Sequence, residues 1–205
     1  MTWMEKISWR LAKRIKMDET PYSIGQLAHG IEIVLLNILN VIALFVTSAL
    51  LQIVGEVFLV TALFFFHRLL SGGVHLKNPW TCMTATLLLM NAGGYLVKHL
   101  SATVPPYAAL LAGVGIGIAF LINYRYAPAE HTYVSTDPKI QQKNRVIILN
   151  IVGFCCILSL FLVEYVYQLV IAYMVAILTQ SILLLPVSFQ IANRLEKHFE
   201  RMVVK

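Results

Sequence analysis

Long apolar runs recur along the sequence, the first being IEIVLLNILNVIALFVTSALLQ at residues 31–52. An α-helix rises about 1.5 Å per residue, so about 20 such residues cross the roughly 30 Å hydrocarbon core of a bilayer. The composition agrees, because 59% of the residues are hydrophobic and only 13% are charged. Soluble domains usually carry about twice that share of charge. The sequence therefore predicts an integral membrane protein.

Six runs are candidates for membrane-spanning helices. The predicted spans are residues 31–52, 53–67, 82–97, 107–122, 146–163 and 167–189. Residues 1–20 carry apolar side chains at helical spacing with basic ones between them, which favours an amphipathic helix on an anionic membrane surface. Residues 190–205 form a charged C-terminal tail. We therefore predict an all-α polytopic membrane protein with about six transmembrane helices, built as one domain over residues 1–205.

The basic residues test this layout, because cytoplasmic loops are enriched in Lys and Arg. Fifteen of the sixteen basic residues fall in the N-terminal segment, the loop after the second span, the loop after the fourth span and the tail. The loops on the opposite side share only Lys98. Both termini and the loop after the second span are thus predicted to face the cytoplasm. The net charge of +6 reflects this orientation, and nucleic acid is not an expected partner.

The loop after the second span reads RLLSGGVHLKNPWTC, residues 68–82. Asn78 and Pro79 form a favourable helix start, as N-cap and first helical residue. Cys82 then lies near the first turn, where the positive end of the helix dipole favours a thiolate. His75 follows a flexible SGG sequence and is expected to swing toward the sulfur. It would either accept the thiol proton or pair with the thiolate as an imidazolium.

A simpler interpretation has to be weighed against this dyad. A single histidine near a membrane interface is more often an interfacial polar residue, and a single cysteine in a span is usually a small apolar filler. Three observations favour the dyad. Gly72 and Gly73 suggest unusual backbone torsions or a close substrate approach. Thiols on the predicted cytoplasmic side stay reduced. Cys82 is also the only cysteine outside the apolar middle of a span.

The same segment resembles a known family. Its signature is an Arg, a Gly-Gly pair, a His and a Cys in this order, here Arg68, Gly72, Gly73, His75 and Cys82. This order resembles the signature of the AgrB-like membrane endopeptidases, from the accessory gene regulator B family. The basic N-terminus, the six predicted spans, the YAPAE sequence after the fourth span and the length extend the resemblance over nearly the whole chain. Val74 and Leu76 replace the aromatic and small residues of many relatives, which leaves the substrate open.

The resemblance implies a membrane cysteine endopeptidase of bacterial quorum sensing. Such an enzyme cuts the C-terminal tail from an AgrD-like propeptide and promotes cyclisation of the remainder to a thiolactone or lactone. Carried over to this chain, Cys82 is the nucleophile and His75 the general base and then acid. Neither a cofactor nor a metal ion is expected. The expected partners are the propeptide and the membrane lipids.

Supporting residues are less defined by the sequence. Candidates to orient His75 or to bind an oxyanion are Ser71, Asn78, Glu130 and Gln141, although a polar loop residue is the commoner explanation for each. Five basic residues either bind the acidic tail of the propeptide or anchor the topology, with equal weight: Lys77, Arg125, Lys139, Lys143 and Arg145. Arg68 either binds a carboxylate or reaches toward lipid phosphate.

Two other classes of function stay open at this point. A small transporter or exporter would line a path with polar residues, but the sequence lacks matching Gly- or Pro-broken spans in two halves. A non-catalytic membrane scaffold would use the basic face to recruit partners. A homodimer is also expected to be feasible through the small-residue face of the fourth span, which contains Gly113, Gly115 and Gly117.

Overall fold

The computed structural model of the chain describes residues 3–17, 21–76, 78–103, 107–129 and 137–203. Those residues contain seven α-helices and no β-strand, which confirms the predicted all-α class. The helices are α1 (Trp3–Ile15), α2 (Ile24–Leu50), α3 (Val54–Ser71), α4 (Pro79–Thr103), α5 (Ala108–Tyr126), α6 (Pro138–Ile182) and α7 (Pro186–Val203). Two compact units are present, Met1–Thr47 and Ser48–Lys205.

The smaller unit holds α1 and most of α2. In α1 the side chains of Ile7, Leu11 and Ile15 are exposed and share one face, as the helical spacing predicted. The start of α2 follows from a reciprocal cap between two side chains and two backbone amides. The Ser23 amide donates to Gln26 Oε1 at 2.9 Å, and the Gln26 amide donates to Ser23 Oγ at 3.2 Å. This pair satisfies donors that the first helical turn leaves unbonded.

Four of the described helices are long and apolar enough to cross a membrane: α2, α3, α5 over residues 109–126, and α6. The protein is therefore a membrane protein. α4 has 25 residues but carries Asn91, Lys98 and His99, and it is not among the four. The predicted count of six spans and the predicted cytoplasmic position of the termini stay predictions.

The 45-residue α6 is two helical segments joined at Val166, whose φ of −137° and ψ of 44° are not helical. The contacts of α5 show that these segments reverse direction. A Cβ on Gly113 would meet Leu160, and a Cβ on Gly115 would meet Met174. Along a straight helix residues 160 and 174 would be about 21 Å apart. The reversal agrees with the tight turn that the sequence predicted between the fifth and sixth spans.

The larger unit has two ends. We call the end where α3 finishes at Ser71 and α4 begins at Pro79 the motif end, and the end where α4 finishes at Thr103 the opposite end. At the opposite end Lys98 Nζ donates to the Gln52 carbonyl at 2.8 Å. At the motif end Asn123 Nδ2 donates to Ser181 Oγ at 2.7 Å, and Arg145 Nη2 donates to the Tyr124 carbonyl at 2.8 Å. The end of α3 joins them, because the Ala129 amide donates to the Ser71 carbonyl at 2.9 Å. The ends of α3 and α5 and both ends of α6 therefore meet at the motif end.

Two sequence predictions need correction here. The sixth span was predicted to run to residue 189, but α6 ends at Ile182 and a new helix begins at Pro186. Proline lacks an amide hydrogen and favours the first helical position, which explains the separate start of α7. Gly113 and Gly115 also pack against α6, so of the three glycines suggested for dimerisation only Gly117 faces open space. A homodimer stays a prediction.

Candidate active site

The site begins where α3 ends, at two glycines whose backbone torsions other residues rarely adopt. Gly72 has a φ of 70° and Gly73 a φ of 120°, both in the region that L side chains rarely adopt. The Gly72 amide donates to the Arg68 carbonyl at 3.0 Å and thereby closes the last turn of α3. A Cβ on Gly73 would lie 3.2 Å from the Leu183 carbonyl oxygen. The glycines therefore permit both the torsions and the close approach.

The segment before His75 is held, which corrects the expectation that a flexible SGG sequence lets His75 swing. The Val74 amide donates to the Leu183 carbonyl at 3.0 Å. Arg68 Nη2 donates to the Val74 carbonyl at 2.6 Å. Gln180 Nε2 donates to the Gly72 carbonyl at 2.6 Å and to Ser71 Oγ at 2.8 Å. These bonds fix the backbone that leads into His75.

The other side of the site is built by the first turn of α4. Asn78 Oδ1 accepts a hydrogen bond from the Trp80 amide at 2.9 Å, which is the side-chain cap that the sequence predicted. The Cys82 amide donates to the Asn78 carbonyl at 3.0 Å. Cys82 is therefore one turn into the helix, with its side chain half-buried. Burial disfavours a charged thiolate and counters the favourable effect of the helix end.

The two central side chains meet across this loop. Cys82 Sγ lies 3.4 Å from His75 Nδ1, within hydrogen-bond distance for sulfur. The His75 side chain is partly exposed at the motif end. The structure thus brings together the two residues that the sequence singled out for nucleophile and base.

Charges around His75 set its protonation state. Partial burial lowers the pKa of His75 below its ordinary value, and the Arg68 guanidinium lowers it further. The Glu196 carboxylate acts in the opposite direction and raises it. With a lowered pKa the imidazole is neutral near pH 7 and has a free lone pair for a proton. Between the two alternatives left by the sequence, this favours a neutral base over a resting imidazolium.

The predicted supporting residues divide into four groups. Arg68, Ser71, Gly72, Gly73 and Asn78 belong to the site through the bonds described above. The exposed side chains of Arg125, Lys139, Lys143 and Arg145 lie on the end of α5 and the start of α6. Gln141 lies in the first turn of α6, where its backbone amide donates to the Asp137 carbonyl at 3.0 Å. Lys77 and Glu130 lie outside the described residues.

Two residues that sequence reasoning missed also belong here, Gln180 on α6 and Glu196 on α7. Gln180 is fully buried and bonds the loop directly, and Glu196 acts on His75 through its charge. The only sequence signal for Gln180 was a polar side chain within an apolar run, which in a membrane segment indicates a hydrogen bond to another part of the helix bundle. Among the described residues no group of three or more His, Cys, Asp or Glu side chains is arranged to hold a metal ion.

Comparisons with known proteins agree on one family. The family model described as accessory gene regulator B matches residues 4–184. A putative AgrB-like protein from Clostridium acetobutylicum is 29% identical over 149 residues, covering 71% of this chain and 68% of that protein. A putative AgrB-like protein from Halalkalibacterium halodurans is 26% identical and covers 95% and 93%. Protein FsrB from Enterococcus faecalis is 23% identical and covers 89% and 74%. No solved structure matches the chain.

Proposed function

Because the chain belongs to the accessory gene regulator B family, we propose that it is a membrane cysteine endopeptidase that cleaves an AgrD-like propeptide and promotes its cyclisation. The observation that carries the proposal is the 3.4 Å separation of Cys82 Sγ and His75 Nδ1 on a fixed loop. A cysteine nucleophile needs a base within this range, and the neutral His75 supplies one. Because the His75 side chain is exposed and Cys82 is half-buried, we infer that a peptide reaches the pair from the side of His75.

The first half of the reaction forms an acyl-enzyme. His75 Nδ1 accepts the proton of the Cys82 thiol as the sulfur attacks the carbonyl carbon at the end of the signal segment. The peptide C–N bond then breaks, and the imidazolium gives its proton to the departing amine of the C-terminal tail. The product on the enzyme is a thioester at Cys82. Proton transfer by a placed base is typically worth about 10² to 10⁴ in rate.

The second half releases the signal segment. A Cys or Ser side chain of the same propeptide attacks the thioester carbonyl and gives its proton to His75. The bond to Cys82 breaks, the sulfur recovers a proton, and a thiolactone or lactone ring is closed. Exchange of one thioester for another is nearly balanced in free energy, so no ATP is required, provided that water is kept away from the acyl-enzyme.

The basic residues at the motif end suit the departing tail. Arg125 lies in the last turn of α5, and Lys139, Lys143 and Arg145 lie in the first turns of α6. Their exposed positive charges attract an acidic peptide segment to the same end of the larger unit as His75 and Cys82. The same charges favour a cytoplasmic location for that end, so we propose a six-span chain with the site on the cytoplasmic side of a bacterial membrane.

The test is cleavage of a propeptide by membranes that contain the full chain. We expect Cys82→Ala to abolish cleavage and the thioester, and His75→Ala to lower the cleavage rate by about 10²-fold or more. Cys155→Ala is the matched control, because its thiol is also half-buried but lies in the middle of α6. Unchanged cleavage by Cys82→Ala would refute the peptidase and favour a transporter or a scaffold.

A further inference from the structure

Gln180 contacts the catalytic loop although it lies far from it in the sequence. It is fully buried in the second segment of α6 and stands 108 residues after Gly72. Its side-chain nitrogen donates two hydrogen bonds, one to the Gly72 carbonyl at 2.6 Å and one to Ser71 Oγ at 2.8 Å. Ser71 Oγ in turn donates to the His67 carbonyl at 2.8 Å, in the last turn of α3. One amide thus joins the end of α3 to α6.

The Gln180 amide holds a segment that has little stiffness of its own. Two consecutive glycines with positive φ separate α3 from His75, and glycine leaves the backbone the widest choice of torsions. The Gly72 carbonyl is bonded by Gln180, and Val74 is bonded by Leu183 on one side and Arg68 on the other. His75 is the next residue in the chain after this bonded segment. Its position therefore depends on these backbone contacts.

From this arrangement we propose that Gln180 is a positioning residue, whose amide fixes the Gly72–Val74 segment so that His75 Nδ1 stays within reach of Cys82 Sγ. The inference rests on the proposed function, in which His75 is the base for Cys82. A catalytic group displaced by about 1 Å loses on the order of 10²-fold in rate. The residue acts through His75 and does not touch the reacting atoms.

A role in packing alone makes a different prediction. Gln180 Oε1 is buried and has no hydrogen-bond partner in the described part of the chain. A methionine of similar shape would fill the same space and bury no unsatisfied oxygen, so packing alone predicts that Gln180→Met is tolerated. Positioning predicts that it is not, because the amide donor is lost. Histidine is the partial replacement, since its single Nε2–H can keep the bond to the Gly72 carbonyl but not also the bond to Ser71 Oγ.

The experiment uses the full chain in phosphatidylglycerol–phosphatidylethanolamine nanodiscs, with Cys155→Ala and Cys156→Ala so that Cys82 is the only one of three cysteines left. The rate of Cys82 alkylation by iodoacetamide is measured against pH. In the parent we expect an inflection where His75 loses its proton, and His75→Ala should abolish it. Gln180→Met should lose the inflection, and Gln180→His should keep it. The matched control is Thr179→Val, because the Thr179 hydroxyl donates to the Val175 carbonyl of its own helix and, among the described residues, to no part of the loop.

The outcomes separate this inference from the proposed function. A parental inflection in Gln180→Met would overturn the positioning role. If that variant does not fold, Gln180→Asn decides, since its shortened amide stays polar but cannot reach the loop; a parental profile there would also overturn the inference. Alkylation does not require a propeptide. Cleavage that survives Cys82→Ala therefore refutes the peptidase alone, and a retained inflection in Gln180→Met refutes the positioning alone.

Discussion

At the scale of single residues, two opposite charges act on the pKa of the proposed base, His75. Arg68 lowers the pKa of His75 and also donates to the Val74 carbonyl beside it, whereas Glu196 raises the pKa from α7. A His75 with a lowered pKa is protonated only at more acidic pH, and the protonated ring cannot accept the Cys82 proton. Activity should therefore persist below the ordinary histidine pKa of about 6.5 and fall as pH drops through the lowered value.

Neutral substitutions of Arg68 and of Glu196 should shift the pKa of His75 in opposite directions. Arg68→Gln removes a positive charge, so the pKa of His75 should rise and the acidic limb of kcat/KM should move to higher pH. Glu196→Gln removes a negative charge, so the acidic limb should move to lower pH. Both are measured as pH profiles of propeptide cleavage, which report the free enzyme.

Controls separate charge from geometry in these profiles. Arg68→Lys keeps the charge but loses the guanidinium bond to Val74, so it should lower the rate while leaving the acidic limb nearer to that of the parent. Glu56→Gln changes a carboxylate at the start of α3, at the opposite end of the larger unit, and should leave the limb in place. Shifts of the same sign in Arg68→Gln and Glu196→Gln would contradict the electrostatic account.

At the scale of helices, the close packing of α3 on α4 requires a small residue on α4. A Cβ added at Gly94 would collide with the Val57 side chain and lie 3.0 Å from the Val57 amide nitrogen and 3.2 Å from its Cα. A side chain can rotate away, but the backbone of α3 can only shift as a whole. The same two helices carry the two sides of the site, because α3 leads into His75 and α4 carries Cys82.

We expect Gly94→Ala to destabilise the protein by about 1–3 kcal/mol, the usual cost of overpacking. Gly117→Ala is the matched control on α5, where an added Cβ meets nothing within 4 Å. Alanine has the higher helix propensity by up to about 1 kcal/mol, so this variant should be neutral or more stable. Apparent melting temperatures in one mild detergent compare the two. Equal melting temperatures would mean that α3 and α4 do not pack this closely.

At the scale of the whole molecule, predictability depended on distance along the chain. The cap at Asn78, the start of α4 at Pro79 and the turn that divides α6 follow from local rules and were predicted. Gln180 and Glu196 were not, because only the folded larger unit brings them to a loop more than one hundred residues away. The local pattern also suggested a mobile glycine loop. The loop is held mostly by bonds from distant residues, and these bonds cannot be predicted from the neighbouring sequence.

The membrane orientation of the larger unit decides from which side a propeptide must approach. Lys98 is the single basic residue of the predicted outer loops, and it bonds the Gln52 carbonyl at the opposite end. The motif end carries Arg68, Arg125 and Arg145. Basic residues are retained on the cytoplasmic side. We therefore expect the motif end to be cytoplasmic, with His75 and Cys82 out of reach of reagents that cannot cross the membrane.

Two exposed positions, one at each end, provide a matched test in a variant without cysteines. Ala102→Cys reports on the end of α4, and Gln142→Cys on the start of α6. A maleimide that cannot cross membranes should label Ala102→Cys in intact cells, and Gln142→Cys only after permeabilisation. The reverse pattern would put the candidate site outside the cell, where a propeptide could reach it only after export. Labelling of both positions in intact cells would contradict a membrane crossing between them, and with it the six-span layout.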